Sequence, residues 1–153
     1  MTIRFSTGLR NSLLDTASMK TALANGIIEL RSGSQPATAD SAATGTLLAI
    51  VTENGGAFTP GSATNGLNYG TAASGSMPKD ANDWEYTGIA AGVVGWFRFK
   101  GNALDDDLAS TTLPRIDGSV AKSGANMNIS NVNITIGAPG SITSAPLSIP
   151  AQA

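Results

Sequence analysis

Ile89-Ala90-Ala91-Gly92-Val93-Val94-Gly95-Trp96-Phe97-Arg98-Phe99 is the stretch on which the fold class turns. Gly95, Phe97 and Phe99 share one phase of a period-two alternation, and Val94, Trp96 and Arg98 share the other, so the segment reads as a β-strand with partners on both faces. Upstream, Thr46-Leu47-Leu48-Ala49-Ile50-Val51-Thr52 is apolar in both phases, which predicts a central strand covered on both sides. Ile27-Ile28-Glu29-Leu30 predicts a shorter strand, ended by Arg31-Ser32-Gly33-Ser34. Residues 33–45 then read as a polar, Ala-rich loop with one helical turn after Asp40.

Further upstream, Leu9, Leu13, Leu14, Ala17, Leu23 and Ala24 recur at helical spacing, with Asn25-Gly26 as a helix-ending pair. Asp15, Thr16 and Ser18 can each cap a helix, which predicts a break near Asp15 and a second helix from Met19. Downstream, Trp84-Glu85-Tyr86 and Pro114 to Val120 predict strands, the second containing the turn pair Asp117-Gly118. Met127 and Ile129 keep one phase and Val132, Ile134 and Ile136 the other, so a bulge or tight turn is expected near Ser130-Asn131. Pro139-Gly140 is expected to close a hairpin onto Ile142, Leu147 and Ile149, with Pro146 placing the last strand at an edge.

Together these segments predict a mainly β chain, an antiparallel β-sandwich or barrel with a short N-terminal helical element and long loops rich in Gly, Ala, Ser and Thr. One domain over residues 1–153 is expected: an arm and helix over 1–25, then the sandwich or barrel over 26–150 with a long loop at 54–83. A loop of that length usually binds a partner or is ordered by one; a long hairpin of small residues is the alternative.

Charged residues make up 13% of the chain, about half the roughly 25% usual for soluble domains, which favours contact between protein surfaces. The nine Lys and Arg residues do not cluster, so no nucleic-acid interface is expected. Cysteine is absent, so there is neither a disulfide framework nor a thiolate metal site. Histidine is absent too, which removes the commonest general base and metal ligand together. No stretch approaches the apolar length of a membrane span, and the N-terminus lacks a basic segment followed by an apolar run, so a cytoplasmic product is expected.

The residues that could carry chemistry have plainer readings. Asp105-Asp106-Asp107 offers oxygen ligands but lacks the alternation, central Gly and terminal Glu of a calcium loop, and is expected to be a solvated turn. Asp83 and Glu85 flank Trp84 as a glycosidase pair would, yet on a strand they are better read as exposed acids beside buried aromatics. No Gly-x-Ser-x-Gly elbow is present. The expectation is a non-enzyme with no catalytic, cofactor or metal residues, whose interface draws on Phe5, Trp84, Tyr86, Trp96, Arg98, Leu147 and Ile149. Trp96 and Arg98 could stack at such an interface, though Trp96 fits a core position equally well, and Trp84, Tyr86 and Trp96 could instead form a sugar-binding platform.

The run from Leu30 to Asp40, LRSGSQPATAD, followed by Ala42-Ala43-Thr44-Gly45-Thr46-Leu47-Leu48-Ala49, resembles small virion proteins of tailed bacteriophages. Gly95-Trp96-Phe97-Arg98, Asp117-Gly118-Ser119-Val120 and the Asn/Ile-rich C-terminal region extend the resemblance over much of the chain. It implies a virion component. A capsid decoration or cement protein contacting the major capsid protein is the leading expectation, as a homo-dimer or trimer. A tail or neck protein is the alternative. The 54–83 loop, the arm Met1 to Ser6 and the tail Pro146 to Ala153 are the expected contacts.

Overall fold

A computed structural model describes residues 2–149; the parts of the expected arm and tail at Met1 and 150–153 lie outside the described residues. In chain order the elements are β1 (Arg4–Phe5), α1 (Thr7–Asp15), α2 (Met19–Ala22), β2 (Ile27–Ser32), β3 (Leu47–Glu53), β4 (Ser76–Met77), β5 (Trp84–Thr87), β6 (Gly92–Lys100), β7 (Arg115–Ala121), β8 (Met127–Asn128), β9 (Asn133–Ile134), β10 (Pro139–Ile142) and β11 (Leu147–Ser148). Strand accounts for 36% of the residues and helix for 9%, so the chain is mainly β.

The helical element breaks where its caps require. Ser6 caps α1, its hydroxyl accepting from the Leu9 amide, and Ser18 caps α2 in a reciprocal box with Thr21. Leu9 and Leu23 are fully buried beneath these two helices.

The main sheet runs β1-β7-β6-β2-β3-β5-β10, with β8 added parallel to β7 and β9 added to the start of β6. The strand expected to be central, β3, has neighbours on both sides, while β2 holds the middle. β5 and β6 flank the β2–β3 pair on opposite edges, so residues 88–91 must cross its end. Close approach there requires glycine: a Cβ on Gly95 would strike the Gly33 carbonyl oxygen, and one on Gly88 the Thr135 carbonyl oxygen. Across this bend the segment 133–142 keeps a single antiparallel register, from Ile142 opposite Trp84 to Asn133 opposite Val93.

Register sorts the side chains into two faces. Ile28, Phe99 and Ile116 line up across β2, β6 and β7, as do Leu30, Phe97 and Gly118, and the apolar side chains of both rows belong to the core. Trp84 meets Tyr69 and Phe99 edge-on at 5.4 and 6.1 Å between ring centres within that core. On the other face, Arg4, Asp117, Arg98 and Glu29 form a row of alternating charge across β1, β7, β6 and β2.

Several local expectations are corrected. Asp117-Gly118 forms no turn; it sits inside β7, where Asp117 pairs with Arg98. Pro139-Gly140 opens β10 instead of closing a hairpin. No helical turn follows Asp40; Asp40 itself lies in a turn closed by the Ser41 amide donating to the Thr38 carbonyl. The 54–83 segment is closed by the Asn54 amide on the Asp83 carbonyl, and it sends Leu67, Tyr69 and Met77 into the core, because its few apolar side chains have nowhere else to be shielded. Among the described residues no helix is long and apolar enough to cross a membrane.

Candidate functional site

The residues expected at an interface divide sharply. Trp84, Trp96 and Arg98 are at most 1% exposed, and Tyr86 is also buried, so the interface role expected of these four is corrected: they are interior residues of the single chain. The cause is the strand register, which turns Trp84 and Tyr86 inward while Asp83, Glu85 and Thr87 face out. Arg98 does stack on Trp96, with the guanidinium carbon 5.5 Å from the ring centre, but beneath the 33–46 loop of the same chain. Phe5 is half-buried beside a shallow groove with Ile3, Arg10 and Ala37 to Asp40. Leu147 and Ile149 border a separate apolar groove of about 350 Å³ with Met19, Ala72 and Met77, and Ile149 is exposed.

The most elaborate constellation is a buried charge network on the polar face of the sheet. Arg98 Nε and Nη2 donate to the two Asp117 oxygens, each at 2.8 Å, with both side chains fully buried. Arg115 Nε and Nη2 clasp Asp105 at 2.7 and 2.6 Å. Arg31 bridges two carboxylates, Nε on Glu29 at 2.9 Å and Nη2 on Asp107 at 2.8 Å. Lys100 Nζ completes the square, 2.7 Å from Glu29 and 2.9 Å from Asp107. Backbone carbonyls of Ser41 and Leu108 accept from Arg98 and Arg115, which ties the covering loops 33–46 and 102–114 to the sheet.

Asp105-Asp106-Asp107 is therefore no solvated turn; only Asp106 is exposed, and its two neighbours neutralise three buried cations. Burial alone would raise the Asp105 carboxyl, but the Arg115 fork, the Asp107 amide and the charges of Lys100 and Arg115 outweigh it and hold the group below its ordinary range. Burial pushes the Asp117 carboxyl up, and the Arg98 fork opposes that shift without cancelling it.

The sequence reading assigned no role to Glu29, Arg31, Lys100 and Arg115 and took Asp105 for part of a solvated turn, yet a signal was present. Glu29/Arg31, Arg98/Lys100 and Arg115/Asp117 are i, i+2 pairs, each on the face opposite apolar neighbours of the same strand. Three strands carrying such pairs place a charged face against one another once they become neighbours.

This network also sets the character of the exterior. It consumes Arg31, Arg98, Lys100 and Arg115 of the nine basic residues, and Glu29, Asp105, Asp107 and Asp117 of the eleven acidic ones. The outer surface is thus poorer in charge than the composition, while Leu14, Ile89, Val93, Leu104, Leu108, Ile136 and Ile149 are exposed on it. Ile89 stands at the 88–91 bend, Val93 just after it in β6, and Ile136 on the segment paired to it. Segments 30–49, 95–98 and 117–120 meet around the network.

No family model matches the chain, and neither curated proteins nor solved structures show a significant match to it.

Proposed function

We propose that this chain is a structural protein of a tailed-bacteriophage particle, a decoration or cement subunit that binds the assembled shell and clamps its major capsid subunits. The observation that carries the reading is the distribution of charge: ionic groups are drawn into the polar face of the sheet, leaving a charge-poor exterior with apolar side chains at the 88–91 bend, on the 102–114 loop and at the Leu147/Ile149 groove. Such a surface suits packing against fixed neighbours better than free solution. The aromatics that a sugar platform would need are interior, so the reading rests on surface packing.

The mechanism is linkage. A subunit that binds only the assembled shell stabilises that state in proportion to occupancy and affinity, and a homo-oligomer multiplies the effect through effective concentration. Particles prepared without this chain should lose their genome at lower temperature or lower chelator concentration than complete ones, and adding the purified protein back should restore resistance. Equal stability of the two preparations would reject the cement role, and immunolabelling at the tail or neck would move the protein there.

A further inference from the structure

Lys100, Asp107 and Glu29 form an arrangement that ordinary ion pairing does not require. The Lys100 ammonium is 5% exposed and lies within 2.9 Å of an Asp107 oxygen and 2.7 Å of Glu29, itself 4% exposed. Asp107 is held from several sides: its amide donates to Asp105, its carbonyl accepts from Ala43, and its second carboxylate oxygen accepts from Arg31. Its backbone lies in the left-handed region, φ +65°, where non-glycine residues are uncommon and strain gathers at functional positions. A cavity of about 210 Å³, bordered by Ile27, Phe58 and Pro60, opens beside the three groups.

We propose that Lys100 and Asp107 condense spontaneously into an intramolecular isopeptide bond, with Glu29 as the catalytic proton acceptor. The ammonium gives a proton to Glu29, and the freed amine attacks the Asp107 side-chain carbon. Arg31, already donating to the second oxygen, stabilises the negative charge that gathers there. The carbon–oxygen bond to the first oxygen breaks, that oxygen takes the protons released from nitrogen, and one water departs through the cavity. Ammonium and carboxylate become amide and water, with no oxidant or other reactant. Fixed reactants reach effective molarities of roughly 10⁵–10⁸ M, which is what turns a slow amide formation into a feasible one. The bond staples the 102–114 loop, at a separation of seven residues, to the end of β6.

Intact-mass spectrometry of the purified full chain tests this. The wild type should be lighter than its sequence mass by about 18 Da, one water, and digestion should yield a branched peptide joining Lys100 to Asp107. Lys100→Arg, which keeps the charge, should show the full mass while remaining folded by circular dichroism, and Glu29→Gln should slow or abolish the loss. A folded wild type that keeps its full mass after prolonged incubation from acid to alkaline pH overturns the proposal. So does a loss that persists in Lys100→Arg, since that marks a cyclised aspartate instead.

Discussion

At the scale of single residues, the buried ion pairs matter more through their breaking than through their presence. Asp117→Ala leaves the Arg98 guanidinium buried and unpaired, which should cost about 3–5 kcal/mol in urea denaturation, whereas replacing both with apolar residues of similar volume should recover most of that loss. Asp105 supplies the acid sensitivity. Its folded value lies below the ordinary 3.8, so its stabilisation is complete above that pH and is lost as pH falls through the folded value. Asp105→Asn should flatten stability against pH below about 4, seen as a smaller drop in melting temperature on acidification than the wild type shows. Exposed acids beside buried aromatics at 83–86 were legible from alternation alone. Trp96 was legible as one of two readings, core or interface, but the burial of Arg98 was not, because it depends on loops 33–46 and 102–114 folding over the face, and no local pattern encodes that cover.

At the scale of elements, hydrophobic periodicity reported strands and helices well, since it records which faces are buried. The strands β2, β3, β5 and β6 and the phase change near Ser130 follow from it, while the break between α1 and α2 follows from the capping residues before Met19. Turn chemistry reported less well: Asp117-Gly118 and Pro139-Gly140 have the composition of turns, but tertiary pairing holds both pairs in strands. The crossing at 88–91 belongs to neither code, and it depends on close backbone packing. Gly95→Ala forces its Cβ against the Gly33 carbonyl and should destabilise by about 1–3 kcal/mol, while Val93→Ala, at an exposed position of the same strand, should stay within about 0.5 kcal/mol by the same denaturation assay.

At the scale of the whole molecule, the two faces of one sheet divide the work: apolar contacts build the core, and the polar face holds charges that would otherwise lie outside. Because that network is shielded from solvent, thermal stability should change little between low and high salt, whereas surface ion pairs would weaken. The low charge content was plain in the sequence; that so much of the charge is internal was not, since it needs three strands to be neighbours. The proposed role rests on the charge-poor exterior this leaves. Counting this chain in purified particles by quantitative mass spectrometry tests it most directly. A decoration subunit should be present at on the order of hundreds of copies per particle, as symmetric coverage of a shell demands. Absence from the particles, or a dozen copies or fewer, would contradict it.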